Sequence, residues 1–387
     1  MSGFFPERKR FWHSYHQRIR NKIVSIIDIK EFSFIDNPDE ACEIIRKICE
    51  ADCKAIDAKI NFIDRHCLDI GAYMVLSEIV KHSIPVFTSG TIKPAIAKVV
   101  DAVDLRSDFR MGPLQLGDGH TDVWAFPQRS RRPAGTSKSE TRFLDPQSSE
   151  KVSDDLVDEM DKWLGITVEH KFSPQGRALV RKIVGEVLDN AERHSDESRG
   201  DGDWKIAGFM ARREGPERRE YYRCHLAFLS VGTSISDSLE RSADRIKLSL
   251  RNYVSNHAES FSSEVLNTIF ALQDGITSDA SAFEEGRGGT GLLDVLELFC
   301  GLSGEANTEA QPQLAIVSGG ACVNFFPPYV RGILCADTGE RQIWFNKDNS
   351  KDLSPDWRHV RTLPYRLNGT LVTMAFNLDR KVLGSGD

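Results

Sequence analysis

Apolar and polar positions follow two different periods along the chain, and the points where the period changes divide it. From Val24 to about Arg110, short apolar runs bounded by turn residues alternate with stretches of helical spacing. This pattern predicts strands over 24–34, 59–63 and 85–88 and helices over 39–51, 68–80 and 92–103. Strands alternating with helices imply a small α/β domain with a mostly parallel sheet. Between Pro113 and Ser153 the periodicity fades, and the tract SRRPAGTSKSE reads as a linker or surface loop. Helical spacing resumes over 156–164, and a long helix is predicted over 174–194. Two antiparallel strands, 205–212 and 221–229, follow, joined by the charged loop REGPERRE. Then come helical material over 236–271, the loop tract QDGITSDASAFEE and a helix over 292–299. Strands are predicted over 313–317, 322–326, 332–345 with a turn at 337–340, and 370–378. No internal repeat or heptad run is present. The divisions are a basic segment 1–23, an α/β domain 24–112, the linker 113–153, a second domain 154–380 and a tail 381–387.

At 387 residues the chain is too long for one typical core, and two domains follow from a prior of roughly 100–200 residues each. A formal charge of −7 counts against nucleic-acid or anionic-membrane binding by the whole molecule. No run approaches the ~18 apolar residues of a membrane span, and the N-terminus lacks an apolar signal core, so a cytoplasmic protein is expected. The eight cysteines form no CxxC or Cys/His cluster, which implies reduced core thiols and no zinc site. The N-terminal run Arg8-Lys9-Arg10-Phe11-Trp12-His13 mixes cations with aromatics. It reads either as a contact for nucleic acid or an acidic partner, or as an amphipathic helix packed on its own domain.

The stretch RKIVGEVLDNAERHS, Arg181 to Ser195, carries Glu186, Asn190 and His194 at successive i, i+4 positions, so a carboxylate, an amide and an imidazole share one side of a helix. The adjoining face holds Ile183, Val184, Val187, Leu188 and Ala191, the spacing of a helix packed on a sheet. The stripe reads equally as the wall of a ligand pocket or as a solvated face. A second informative stretch is GRGGTGLLDVL. Glycines leading into a helix let backbone amides approach an anion, and the helix N-terminus adds unpaired N–H groups and a positive dipole end. It is neither a Walker A loop, lacking Lys-Ser or Lys-Thr, nor a Rossmann turn.

Taken in order, ExxxNAxxH on a helix, a Gly-containing turn ending a strand, the Gly-rich loop opening a helix, and Gly369-Thr370 before a final strand resemble the GHKL ATPase superfamily. That superfamily includes sensor histidine kinases, anti-sigma-factor serine kinases, gyrase-type topoisomerases and mismatch-repair ATPases. The resemblance covers about residues 155–380 and implies an α/β sandwich of the Bergerat type with a mixed sheet. It implies that Asn190 holds the Mg²⁺ bridging the phosphates of ATP and that Glu186 is the catalytic base. His194 would stand near the phosphates. Gly286, Arg287, Gly288, Gly289, Thr290 and Gly291 would form the phosphate loop. Residues 240–285 would be the ATP lid, and Thr370 would help hold adenine. In the first domain, INFIDRHCLDIGAYMVLSEI followed by IPVFTSGTIKPAIAKVVDAVDL resembles the STAS domain of anti-sigma-factor antagonists over about residues 24–110. Where phosphorylated members of that family carry Ser or Thr, this chain has Arg65, His66 and Cys67, so docking to a protein partner is expected there rather than a phosphoswitch.

One departure stands out. The superfamily's turn is DxGxG, whose Asp accepts the adenine amino group, but here the run is Ser230-Val231-Gly232-Thr233-Ser234. Ser230 and Gly232 are the expected base-side residues, with Asp237 lying beyond the turn. A lost charge-assisted hydrogen bond costs about 1.5–3 kcal/mol, a ten- to hundredfold loss in affinity. The resemblance therefore implies an intracellular Mg-ATP-dependent regulatory switch, with a protein-serine kinase as a variant and a homodimer by analogy. The alternative is a degenerate domain of that type acting as a non-catalytic binding scaffold.

Overall fold

The computed structural model describes residues 2–5, 24–53, 57–82, 87–113, 116, 122–131, 148–167, 171–194, 203–214, 220–277, 291–303, 312–336 and 338–378. Among the described residues the chain is an α/β protein with a three-stranded parallel sheet, a five-stranded antiparallel sheet and a two-stranded antiparallel hairpin. In the N-terminal unit β1 (Val24–Ile29), β2 (Asp57–Phe62) and β3 (Phe87–Ile92) pair in parallel in the order β1-β2-β3. The connecting helices are α1 (Pro38–Cys53) and α2 (Ile70–His82), and α3 (Pro94–Ala102) follows. Alternation sets the faces: Ile27 and Ile29 are buried while Ile26 and Asp28 point outward. The alternating reading of the sequence therefore holds, with the first strand ending at Ile29 because Phe32 and Phe34 lie in the turns after it.

The larger sheet has the order β4-β5-β6-β10-β7, formed by β4 (Val123–Ser130), β5 (Asp203–Glu214), β6 (Glu220–Val231), β7 (Gln313–Phe325) and β10 (Val360–Leu378). Every pairing in it is antiparallel, so the mixed sheet expected for this half is not what forms. The edge strand β4 lies inside the stretch expected to be a linker. Its two buried residues, Val123 and Phe126, stand three apart, so it lacks the two-residue period that betrays the other strands. β7 runs unbroken through what reads as two strands. Leu314 and Ile316 face one side and Ala321, Val323 and Phe325 continue on that same side, because the Gly319-Gly320 kink, with Gly319 at φ 60°, shifts the alternation by one residue. A small hairpin of β8 (Ile333–Leu334) and β9 (Arg341–Gln342) projects between β7 and β10.

One face of the larger sheet carries α4 (Ser149–Thr167), α5 (Pro174–His194), α7 (Asp244–His257), α8 (Ser263–Ala271) and α9 (Gly291–Ser303). The short helix α6 (Ile235–Ser238) leads into α7. The other face is covered by the N-terminal unit. Helix α2 is buried from Ile70 to Val80, as its all-round apolar sequence requires. Tyr73 stacks on Phe62 of β2 at 5.9 Å, and Asp69, just before the helix, accepts the Thr373 hydroxyl of β10 at 2.6 Å. The two halves thus share a core, with Phe209, Leu229, Val317 and Leu371 joined to Ile29, Tyr73 and Ile79. His66 and Cys67, at the place of the expected phosphoacceptor, meet Arg213 of β5, which lies 3.1 Å from His66 Nδ1 and donates to the Cys67 carbonyl. All eight cysteines are free thiols, and Cys42, Cys49, Cys67, Cys224 and Cys322 are buried. No helix among the described residues is long and apolar enough to cross a membrane. The basic run 8–13 lies outside the described residues; ahead of it Phe4 is fully buried, its carbonyl accepting from Arg46 at 3.0 Å.

Candidate functional site

The strand register of the larger sheet lines up one row of side chains across four strands: Trp204 on β5, Ser230 on β6, Thr370 on β10 and Ser318 on β7. Directly paired residues in an antiparallel sheet point to the same face. The next row inward, Ile206, Phe228, Val372 and Ile316, is wholly apolar and belongs to the core beneath the helices. A hydroxyl-bearing row therefore interrupts the core on the helical face where β5 begins and β6 ends, and along β7 and β10 the core resumes beyond it at Ala321, Val323, Phe325 and Val360. Ser318 is fully buried; its hydroxyl lies 2.8 Å from Thr370 Oγ1 and accepts from the Ile235 amide at 2.8 Å. The Ser230 hydroxyl donates to the Thr370 carbonyl at a long 3.4 Å. Gly369, at φ 126°, lets β10 reach this row, since a Cβ there would stand 2.0 Å from the Ser230 carbonyl. Gly232, at φ 146°, closes the turn, its amide donating to Asn368 O at 3.3 Å.

Helix α5 passes over the Trp204 end of that row. Val180, Ile183, Val184, Val187 and Leu188 are buried at the predicted spacing. Glu192 anchors the helix by accepting the Trp204 indole N–H at 2.8 Å and lies 3.5 Å from Arg131. Glu186 and Asn190 project from the opposite flank of the buried stripe, both half-buried. Among the described residues neither has a side-chain hydrogen bond or ion-pair partner. One turn earlier in the same i, i+4 row is Lys182, whose ammonium meets Asp294 at 2.6 Å. Asp294 sits in the first turn of α9, so that helix begins beside the Glu186/Asn190 flank. Burial raises the Asp294 carboxyl pKa, but hydrogen bonds from Lys182 and Arg341 outweigh it and hold the group below its usual range. Arg341 reaches Asp294 at 2.7 Å, Asp274 at 2.8 Å and Glu297 at 3.0 Å, tying the β9 hairpin to α9.

The strand register brings together Ser230 and Thr370, with Gly232 closing the turn beside them, while Glu186 and Asn190 lie on α5, on the flank that Lys182 ties to the start of α9 at Gly291. Gly286, Arg287, Gly288, Gly289 and Thr290 lie outside the described residues, as does the side chain of His194. The lid expected over 240–285 is a different object through residue 277. Ile246, Leu250, Tyr253, Val265, Leu266, Ile269 and Phe270 are buried in the main core, so α7 and α8 are packed helices. The helical spacing of those apolar residues carried that information. Asp237 is engaged by Arg366 at 2.6 Å, which also holds Glu264 at 2.6 Å, and so does not take the place of a carboxylate at Ser230. Ser318 and Trp204 escape a sequence reading: Ser318 sits in a Ser-Gly-Gly tract that reads as a break, and only the register makes it a neighbour of Thr370.

No family model, curated protein or solved structure matches the chain.

Proposed function

We propose that the chain is a Mg-ATP-binding regulatory protein of GHKL type, acting as a nucleotide-dependent switch in the cytoplasm. The observation that supports it most is the polar row Ser230–Thr370–Ser318 that interrupts the apolar core, with Glu186 and Asn190, unpartnered among the described residues, on a helix of the same face and the start of α9 beside that helix. A base would lie along the row and the phosphates towards α9 and residues 286–291. The donor set fits magnesium held with a nucleotide. Among the described residues no cluster of three or more His, Cys, Asp or Glu could cage an ion. Mg²⁺ retains water and phosphate ligands and needs one or two protein oxygens, which Asn190 would supply. The bound ion would neutralise phosphate charge. Glu186 would accept a proton from water, or from a hydroxyl in the protein-serine kinase variant. The N-terminal unit would meet a protein partner, and the protein would work as a homodimer.

Calorimetric titration with a non-hydrolysable ATP analogue tests the reading. Binding is expected to require Mg²⁺ and to weaken at least tenfold in Asn190→Ala. Glu186→Ala is expected to bind normally and lose turnover. Absence of Mg-dependent binding would sink the switch and leave the scaffold reading, which the Ser at position 230 favours. Ser230→Asp is expected to tighten ATP over GTP by about ten- to a hundredfold. Equal affinities in that variant would remove the row from base recognition.

A further inference from the structure

A separate cavity of about 470 Å³ opens between α7, the turn after α8 and residues 340–352. Its size falls in the range of small-molecule sites. One wall is a stripe of α7, where Ser249, Asn252 and Asn256 follow each other at helical spacing while Ile246, Leu250 and Tyr253 turn to the core. Among the described residues the side chains of these three polar residues have no hydrogen-bond partner. The floor is aromatic: Tyr253 and Trp344 lie 4.9 Å apart by ring centroid, with Phe270 at 6.0 Å from Tyr253. Tyr253 is 4 % exposed, and its hydroxyl is sealed from solvent without a hydrogen-bond partner among the described residues.

The floor is held rigidly. The Gln273 amide donates to the Ile269 and Ile343 carbonyls at 2.6 and 2.9 Å and accepts from the Ile343 amide at 2.8 Å. The Trp344 indole N–H donates to Gln342 at 3.0 Å. Charge at the cavity is balanced: Asp274 is neutralised by Arg341, and Arg245 and Lys351 are matched by Glu340 and Asp352. A carboxylate or phosphate ligand would meet no excess of cations. Free amides and a serine hydroxyl both donate and accept, as sugar hydroxyls do, while the aromatic floor, with Tyr253 and Trp344 each 4 % exposed and Phe270 7 %, backs the cavity as a rigid base.

We infer that this cavity binds an uncharged polyhydroxylated small molecule of mono- or disaccharide size. The inference is independent of the nucleotide reading, since no residue of the Ser230–Thr370 row or of α5 lines the cavity.

The test titrates the full chain with glucose, maltose and trehalose, and with glucose 6-phosphate and glucuronate as charged counterparts, by calorimetry and ligand-observed NMR. Saturable binding of at least one neutral sugar is expected, at least tenfold weaker in Asn252→Ala and Asn256→Ala and unchanged in Asn190→Ala. Both asparagines are exposed on α7, so the variants are expected to fold. The inference is overturned if no neutral sugar saturates, if both asparagine variants bind undiminished, or if the charged counterparts bind more tightly.

Discussion

Gly369 and Gly165 show how differently two glycines act in this chain. At Gly369 φ is 126°, and an added Cβ would press to 2.0 Å from the Ser230 backbone carbonyl. Neither the φ nor the carbonyl yields cheaply, so Gly369→Ala is expected to destabilise the protein by about 2–4 kcal/mol, from strain and overpacking together. It also displaces Thr370 from Ser318, so nucleotide affinity falls with stability if the row binds the base. Gly165, in α4, has nothing within 4 Å of an added Cβ. There Gly165→Ala is expected to raise stability by about 0.5–1 kcal/mol, because alanine favours the helix and restricts the unfolded chain. Urea denaturation of the two variants reads both effects, and a loss in both would mean that the space around Gly165 does not admit a methyl group. At this scale the sequence exposes residues with local signatures. Asn190 and Glu186 stand out because a polar stripe interrupts an amphipathic helix, and Gly369-Thr370 because a glycine precedes a strand. Ser318 does not, since its importance lies in being opposite Thr370 across a register that no local pattern encodes.

Elements were legible where one period persists for three turns or several alternations. The 174–194 helix is predicted with the bounds it adopts, and the two strands of the β5–β6 hairpin are recovered within a few residues. β4 is hidden because an edge strand needs only a few inward residues, and residues 244–271 pack into the core as α7 and α8, which chain order alone does not reveal. How elements join is less visible still. The start of α2 approaches β10 so closely that a Cβ at Gly71 would stand 2.8 Å from the Thr373 Cβ. Gly71→Ala is therefore expected to cost about 1–3 kcal/mol and to increase amide exchange at β10 next to Thr373. Unaltered exchange there would mean that α2 shifts without disturbing the sheet. Arg341 is a second joint, with one guanidinium between Asp274, Asp294 and Glu297. Arg341→Met keeps the packing volume but strands the largely buried Asp274 carboxylate and leaves Asp294 with Lys182 alone. A loss of about 3–5 kcal/mol is expected at neutral pH. Denaturation of the variant and the native chain at neutral pH measures the difference, and equal stabilities would mean that the guanidinium is not needed at this joint.

At the scale of the whole molecule, the larger sheet separates two cores, and the covering of its second face by the N-terminal unit buries ionisable groups. Lys205 of β5 meets Glu78 of α2, and both are largely buried. Asp69 is fully buried and receives hydrogen bonds from the Phe34 and Gly71 amides, both at 2.8 Å, and from the Thr373 hydroxyl. Burial pushes its carboxyl up from 3.8 to about 6, against those three hydrogen bonds, which pull it down. The folded state therefore holds the Asp69 proton more tightly than the unfolded chain does. Its contribution to stability is fully present below about pH 4 and is lost as the pH rises through about 6. A rise of about two units corresponds to roughly 3 kcal/mol. Asp294 has the opposite sign, with a lowered pKa whose contribution is lost as acid protonates it below 3.8, so the two windows do not overlap. Asp69→Asn is expected to be less stable at every pH, because its amide nitrogen cannot accept from one of the backbone N–H groups. The decisive readout is the slope: denaturation free energy measured from pH 4.5 to 7 falls less steeply in Asp69→Asn than in the native chain. Equal slopes would mean that Asp69 keeps an ordinary carboxyl pKa at the joint between the two sheets, with its hydrogen bonds offsetting burial in full.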